Sequence, residues 1–225
     1  MSPTDGGSRT GTETAPPSRE ILEGALQDIN AARALPEGES GRVEGLLRGL
    51  EQVLAAADPP DERARDGGRA LADLDRLLSE ADEPGSTRSI REFLEPIVDR
   101  LVDQLLDRPD ERLASYGSLR PGEANHHHVA DLLGQWREAR VAGKLYPDGV
   151  PATRGFPGMV WDPEASAVPL EVFESAALPG RWPALDAFEG PGYRRILVTV
   201  TLPEGLAVAN MYELADPPAT PSDPP

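Results

Sequence analysis

The sequence predicts an α+β protein, in which an N-terminal α-helical bundle is followed by a small, mostly antiparallel β-barrel. In the first half, apolar residues recur every three or four positions, as they do on one face of an amphipathic helix. From about residue 111 onward, short β-type runs are instead separated by turns that contain glycine and proline. The charge also changes there, since residues 1–110 have a net charge of −11 and residues 111–225 one of −6.

Four helices are predicted over residues 18–108. The first extends from about residue 18 to 35, and the second begins at Ser40, a typical N-cap, and stops before Pro59. The fourth contains Pro96, which is expected to kink this helix or to delay its start. The apolar stripes of the last two helices comprise Leu71, Leu74, Leu77, Leu78 and Ala81, and Ile90, Phe93, Leu94, Ile97, Val98, Leu101, Val102, Leu105 and Leu106.

This acidic helical bundle is expected to be structural or to recruit a partner. Its apolar stripes contain no polar residue, so the sequence shows no catalytic or metal-binding constellation there. The bundle is therefore a candidate surface for a protein partner or for self-association, and its acidic faces are expected to be solvated. Residues 1–17 and 216–225 are predicted to be disordered tails, the second of them proline-rich.

Six short strands are predicted over residues 111–215. The last two flank a turn at residues 202–205 and predict a hairpin, and a short helix is expected around residues 181–188. Short strands with little helix are typical of a compact, mostly antiparallel barrel or a strongly twisted sheet. The predicted strands cover residues 112–115, 138–146, 158–161, 168–173, 194–201 and 206–212.

Composition excludes several classes of function. A net charge of −17 leaves no basic stripe for the phosphates of a nucleic acid. The lack of cysteine excludes disulfides, thiolate nucleophiles and cysteine-based zinc sites. No apolar run approaches the roughly 20 residues that span a bilayer, and the N-terminus lacks the pattern of a signal peptide. We therefore expect a cytoplasmic protein that binds neither nucleic acid nor membrane.

The loop YGSLRPG at residues 116–122 is the first candidate site. The backbone amides of Gly117, Ser118 and Leu119 can face one concavity, which suits a carboxylate or a developing oxyanion. Gly117 is expected to adopt backbone angles that other residues avoid and so to allow a sharp turn. The alternative interpretation is an ordinary glycine turn that is capped by Ser118.

Glu189, in the segment LDAFEGPGYRR at residues 185–195, is the second candidate. It lies between Phe188 and Gly190, and apolar surroundings raise the pKa of a carboxyl until it serves as general base and acid near neutral pH. The alternative is a surface glutamate paired with Arg194 or Arg195, worth about 0–1 kcal/mol. The loop at residues 116–122 favours the catalytic interpretation.

The run His126-His127-His128 suggests a metal site, but the pattern does not favour one. Consecutive histidines rarely converge on one ion, and no acidic or histidine residue accompanies them at ligand spacing. A dyad of Ser118 with one of these histidines, hydrolysing an amide, lacks both the nucleophile-elbow pattern and a third member.

The two motifs together resemble the γ-glutamylcyclotransferase-like family of small β-barrel proteins. Further elements match in order and spacing, namely Asn125, AGKLY at residues 142–146 with Gly149, EVF at 171–173 and ANMY at 209–212. The resemblance extends from about Leu113 to Leu214 and covers none of the helical half.

The resemblance implies a reaction for this half of the chain. The YGSLR loop would bind the γ-glutamyl group of a small substrate, and Glu189 would carry a proton from the α-ammonium to the leaving amine. The amine would attack the γ-carbonyl and 5-oxoproline would leave, with neither metal nor cofactor required. Tyr116 and Arg120 belong to the binding loop, and Tyr193, with Arg194, is expected to hold the segment around Glu189; the alternative for these side chains is packing and a surface ion pair.

One departure from the family pattern bears on the pocket. Where relatives often have a glycine in the strand before Glu171, this chain has Pro169 and Leu170, which are expected to narrow or reshape the pocket. A second hypothesis is therefore kept, in which the barrel is a non-catalytic module that binds a small carboxylate, or a scaffold, while the helical half recruits a protein partner. The presence of Glu189 in its motif position favours the enzyme.

Overall fold

A computed structural model describes residues 19–39, 41–55, 62–80, 87–146 and 156–217. The expected N-cap at Ser40, the helix stop at Pro59 and nearly all of both predicted tails lie outside these residues. The described helices are α1 (Arg19–Arg33), α2 (Arg42–Ala55), α3 (Glu62–Glu80), α4 (Thr87–Leu105) and α5 (Leu178–Glu189). The strands are β1 (Arg112–Ser115), β2 (Gln135–Tyr146), β3 (Gly158–Trp161), β4 (Ala167–Glu174), β5 (Tyr193–Leu202) and β6 (Gly205–Leu214).

The predicted order of elements is confirmed. All four N-terminal helices and all six strands are present, and β1 and β3 have the predicted bounds. β2 begins three residues earlier than predicted, and α5 is longer, so that Glu189 is its last residue. Helix α4 begins nine residues before Pro96 and continues through it, so the proline does not delay the start of this helix. None of the described helices combines the length and hydropathy that a membrane-spanning helix requires.

Five strands close into a mixed barrel. They pair in the cyclic order β2, β4, β1, β6, β5, with Arg140 of β2 opposite Thr201 of β5 at the closing contact. Strands β1 and β6 run parallel, whereas the other neighbours are antiparallel. Strand β3 lies outside this ring and pairs only with β2 among the described strands. Small and branched side chains fill the interior, as expected of so narrow a barrel; they include Ala139, Val141, Leu170, Val172, Ile196, Val198, Ala209 and Met211.

The helical half packs against the outside of β5. This strand is buried on both faces, because Ile196 and Val198 belong to the barrel core while Leu197 belongs to the helical core. Asn30 of α1 donates to the backbone oxygen of Leu197 at 2.7 Å and accepts from its backbone nitrogen at 2.8 Å. The side-chain amide thereby pairs with a backbone N–H and a backbone C=O at the edge of the strand. These groups would be costly to bury without hydrogen-bond partners.

Candidate active site

A cavity of about 460 Å³ lies where the end of β1, the end of α5 and the loop after each of them meet. Its wall includes Tyr116, Gly117, Ser118 and Leu119 from the first motif and residues 187–193 from the second. The wall is completed by Tyr212 of β6, by Asn125, by residues 113–115 of β1 and by the pair Phe156-Pro157. The two segments that are about seventy residues apart in sequence therefore face a single space.

The loop after β1 has unused backbone donors beside this cavity. Across the described part of the chain, no acceptor lies within hydrogen-bond reach of the backbone N–H of Gly117, Ser118 or Leu119. The loop is held by Asn125, which also lines the cavity and donates its side-chain amide to Ser118 Oγ at 2.8 Å and its backbone N–H to Ser118 O at 3.0 Å. Three free donors beside a cavity suit a carboxylate or an oxyanion.

Gly117 differs from the sequence-based expectation. It does not adopt a left-handed backbone, so the sharp turn does not depend on it; Gly122, with φ of 83°, has that conformation instead. A Cβ at Gly117 would meet nothing within 4 Å. The glycine therefore leaves space in the cavity wall rather than relieving backbone strain.

Arg120 lies outside the cavity wall. Its Nε donates to the backbone oxygen of Gly117 at 3.1 Å, and its Nη2 lies 3.4 Å from Glu123 Oε1. These contacts hold the loop in its curved form. They place the guanidinium where it stabilises the loop rather than contacting a group in the cavity.

Glu189 is a half-buried carboxyl at the C-terminus of α5. Gly190 follows it with φ of 66° and ψ of −168°, a backbone conformation that ends the helix and strongly favours glycine. Within the described residues, no donor reaches the Glu189 carboxylate. Burial without compensation raises the pKa of Glu189 to about 7.

The neighbouring arginines do not pair with Glu189. Arg194 Nε lies 2.7 Å from Glu213 Oε1, and Arg195 Nε lies 2.9 Å from Asp186 Oδ1. The alternative of a surface glutamate in an ion pair with either arginine is therefore not what the structure shows.

Two tyrosines form rigid walls around this carboxyl. Tyr116 Oη donates to the backbone oxygen of Tyr212 at 2.9 Å, and Tyr193 Oη donates to that of Pro157 at 2.9 Å. Burial, together with Tyr193 and Glu189, raises the pKa of the Tyr116 phenol, which keeps it neutral. Each ring is thus fixed by a bond to the main chain.

A hydrogen-bond network around Asp186 of α5 was not predicted from the sequence. Tyr212 Oη donates to Asp186 Oδ1 at 2.6 Å, and Arg195 reaches both oxygens of Asp186, at 2.9 and 3.2 Å. The guanidinium also lies 4.7 Å from the ring centre of Trp182 and 3.2 Å from Asn210 Oδ1. Because Asp186 precedes Glu189 by one helical turn, the network fixes the helix end that carries the cavity carboxyl. The spacing of Asp186 and Arg195 inside the LDAFEGPGYRR motif was the available signal.

Within the described residues, the histidines contact backbone oxygens and Phe188, and none of them is hydrogen-bonded to Ser118. The ring Nδ1 atoms of His126 and His127 lie 3.0 and 3.3 Å from the backbone oxygens of Leu119 and Ala124. His128 packs on Phe188 with 3.9 Å between ring centres, and burial lowers the pKa of its imidazole. No group of three or more potential metal ligands occurs among the described residues.

Pro169 and Leu170 lie outside the cavity wall. Pro169 is exposed on β4 opposite Arg140, beyond the point where β1 ends its pairing with that strand, so the missing N–H is tolerated there. Leu170 is buried inside the barrel. Neither residue lines the cavity, and the expectation that they narrow or reshape the pocket stays a prediction.

Comparisons with known proteins associate the second half of the chain with one family. A family model described as gamma-glutamyl cyclotransferase, AIG2-like, matches residues 113–224. No curated protein matches the chain.

Several solved structures are similar to about half of the chain. YkqA from Bacillus subtilis is 30% identical over 47% of this chain and 36% of its own, with a TM-score of 0.38. An AIG2-like protein from Mus musculus is 20% identical over 48% of this chain and 80% of its own, with a TM-score of 0.40. An uncharacterised protein from Pyrococcus horikoshii is 25% identical over the same shares, with a TM-score of 0.35. The chain thus spans little more than a third of YkqA, and at these TM-scores the structural likenesses carry no argument by themselves.

Proposed function

Because residues 113–224 match the model of the gamma-glutamyl cyclotransferase, AIG2-like family, we propose that this half of the chain cyclises a γ-glutamyl peptide or γ-glutamyl amine and releases 5-oxoproline. One observation carries the proposal. The unpartnered carboxyl of Glu189 and the three unused amides of Gly117, Ser118 and Leu119 line the same cavity.

The proposed reaction needs one proton carrier. Glu189 takes a proton from the substrate α-ammonium, and the freed nitrogen attacks the γ-carbonyl carbon, forming the ring C–N bond. As the bond to the leaving amine breaks, Glu189 returns the proton to that nitrogen. Glu189 then takes the second proton that the ring nitrogen must lose, and this proton leaves with the released amine as its ammonium. The loop amides bind the carboxylate of the γ-glutamyl group or the oxyanion on the attacked carbonyl.

The properties of Glu189 suit both halves of this cycle. A pKa of about 7 makes the group nearly balanced between base and acid at neutral pH. The attack is intramolecular, so a site that holds the substrate in a curled conformation gains much of its rate by proximity. Tyr116 and Tyr193 would supply the fixed walls, and Arg120 would hold the loop.

The test is the release of 5-oxoproline from γ-glutamyl dipeptides and γ-glutamyl amines by the full chain. Wild type is compared with Glu189→Gln, which preserves shape but removes the base, and with Glu164→Gln, the same substitution on an exposed turn. We expect wild type and Glu164→Gln to form product and Glu189→Gln to lose about 10²–10⁴-fold in kcat.

Two results would contradict the proposal in different ways. Equal product from wild type and Glu189→Gln would show that another group moves the proton. No product from a folded wild type would favour the non-catalytic module, and the binding of glutamate or 5-oxoproline would then be measured.

A further inference from the structure

Helix α4 carries a ridge of apolar side chains that is only partly covered. Phe93, Ile97, Leu101 and Leu105 follow one another at intervals of four residues, which places them in one row along the helix surface. Phe93 is 70% exposed and Ile97 is 37% exposed, whereas Leu101 and Leu105 are partly buried against the helical core. A continuous row of partly exposed large apolar side chains is typical of a surface that another protein covers.

A pocket of about 430 Å³ lies between α3 and α4 at the C-terminal end of this ridge. Its apolar lining comes from Gly67 and Ala70 of α3 and from Leu101 and Leu105 of α4. A Cβ at position 67 would lie 2.6 Å from Leu105 Cδ2, so the glycine lets this leucine lie against α3. The α4 ridge therefore has a protruding aromatic ring, Phe93, at one end and the α3–α4 pocket at the other.

The ring and the pocket are complementary when one copy of the chain meets another. Phe93 and Leu105 are twelve residues apart on α4, or roughly 18 Å along the helix axis. A two-fold axis midway between Ile97 and Leu101 reverses the ridge of the second copy. The Phe93 ring of each copy then meets the pocket of the other, and both contacts form at once, as a two-fold interface requires.

The remainder of this sequence has little that could cover the ridge instead. The stretches that the structure does not describe are residues 1–18, 40, 56–61, 81–86, 147–155 and 218–225. Apart from proline, they contain only two large aliphatic or aromatic residues, Met1 and Val150. Covering a row of four large apolar side chains requires apolar surface, which these stretches do not supply.

The charges beside the ridge suit a second copy better than a charged partner. On α3, Asp66 pairs with Arg69 at 3.1 Å and Asp73 pairs with Arg76 at 2.9 Å, and Asp66 also lines the pocket. This row has no net charge, although residues 1–110 together carry −11. Its signs alternate, so an antiparallel copy reads in the opposite order, base where the first copy has acid. A basic partner would be attracted more strongly to other faces of the helical half.

We propose that two copies of this chain associate through the α4 ridge and the α3–α4 pocket. In the resulting two-fold dimer, Phe93 of each copy fills the pocket of the other, and helices α3 and α4 of both copies form one four-helix layer. The interface lies in the helical half, so it goes beyond the function proposed above and does not depend on it.

Sedimentation equilibrium of the full chain measures the dissociation constant of this dimer. We expect wild type to form dimers at micromolar concentrations, and Phe93→Glu to raise the dissociation constant by about 30-fold or more, because an apolar anchor at each of two contacts is lost. The exposure of Phe93 makes the variant compatible with the folded monomer. Leu133→Glu, the same change at a 92% exposed position outside the helical half, is the matched control and should leave the constant unchanged.

A mixing experiment tests the pairing of ring and pocket. Ala70→Arg places a long side chain in the pocket, so this variant should also fail to dimerise. A mixture of Ala70→Arg with Phe93→Glu keeps one intact contact and brings the new guanidinium and the new carboxylate together at the other. We expect the mixed dimer to be at least about tenfold tighter than either variant alone. If circular dichroism shows that Ala70→Arg alters the fold, Gln104→Arg, at an exposed position of the same pocket, takes its place.

Three results would overturn the proposal. Wild type could remain monomeric at the highest soluble concentration. A dimer could form that Phe93→Glu leaves as tight as wild type, which would assign the interface to another surface. Both variants could lose the dimer without any gain on mixing, which would contradict the two-fold pairing of ring and pocket. In each case the release of 5-oxoproline remains a separate measurement.

Discussion

The helical half and the barrel both bury carboxylates, but they surround them differently. In the helical half, Glu95 accepts the backbone N–H of Gly38 at 2.8 Å and lies 3.7 Å from Arg42 Nε. Glu23 accepts from Thr199 Oγ1 at 2.8 Å and from Arg19 Nε at 2.7 Å. A buried charge with such partners supports the fold.

At the end of the barrel the same residue type has no partner. Among the described residues, Glu189 receives no hydrogen bond or ion pair, and its pKa is about 7. Elsewhere in the barrel, a buried carboxylate does have partners, as in the helical half. Glu213 accepts from Arg194 Nε at 2.7 Å and from the backbone N–H of Trp161 at 3.0 Å. The unpartnered carboxyl of Glu189 thus lies at the cavity, which is where a reactive group is expected.

The largest expected effect on stability is at a partnered carboxylate. Glu95→Ala leaves the buried Arg42 guanidinium without its counter-charge and the Gly38 N–H without an acceptor, so we expect a loss of about 3 kcal/mol in the free energy of unfolding. Asp66→Ala removes an exposed partner of Arg69 and should cost no more than about 0.5 kcal/mol. Urea unfolding of both variants measures the difference, and equal losses would contradict the distinction.

A smaller effect of the opposite sign is expected at Glu189. Between pH 4.5 and about 7 the carboxyl is protonated in the folded chain but ionised in the unfolded chain, so wild-type stability falls as pH rises through this window. The glutamine of Glu189→Gln does not titrate in this range. Its stability relative to wild type should therefore increase by roughly 2 kcal/mol from pH 5 to pH 8.

Because the stability difference is compared between the two pH values, any pH-independent effect of the new glutamine amide on the free energy of unfolding cancels. Unfolding curves for wild type, Glu189→Gln and Glu164→Gln at both values supply the measurement. A pH-independent difference between wild type and Glu189→Gln would mean that Glu189 titrates alike in the folded and unfolded chains.

The smallest effect is expected from the network that supports the helix end. Asp186→Asn weakens the contacts to Arg195 and Tyr212, so the Glu189 carboxyl should be less well placed and kcat should fall about tenfold, or about 1.4 kcal/mol. Because Asp186 does not transfer the proton, the pH midpoint of kcat should stay where it is. Asp131→Asn, which loses an exposed pair with Arg181, is the matched control. A shifted midpoint would indicate that Asp186 acts on the proton itself.

The local sequence pattern was sufficient to predict the helices and strands of this fold, but not how the strands pair and close into a barrel. Alternation and turn residues locate the six strands within a few residues, because each strand is read from its own sequence. The parallel pairing of β1 with β6 joins Leu113 to Asn210, and no local signal specifies a contact so distant in the chain. One feature of the sequence indicated the packing of α1 on β5, namely the nearly continuous apolar run from Ile196 to Val200. Such a run is typical of a strand that is covered on both faces, and all five residues are buried.

The candidate site divides in the same way. The motif residues Tyr116 to Leu119, Glu189 and Tyr193 do share a cavity, because motif spacing reflects which loops meet at one end of the barrel. Phe156 had no motif to mark it, and the use of Tyr212 Oη by Asp186 depends on side-chain directions that sequence does not specify. Gly117 shows the converse. The sequence identified it as a residue of the site, but only the backbone geometry shows that a glycine there leaves open space rather than relieving strain.

The most direct test of this account is a titration of the Glu189 side-chain carboxyl in the folded protein, followed by ¹³C NMR and assigned by the loss of its signal in Glu189→Gln. A desolvated, unpartnered carboxyl should titrate with a pKa of about 7. A midpoint near the ordinary value of 4.5 would mean that Glu189 is solvated or paired like the carboxylates of the helical half, and the distinction between the two regions would fail.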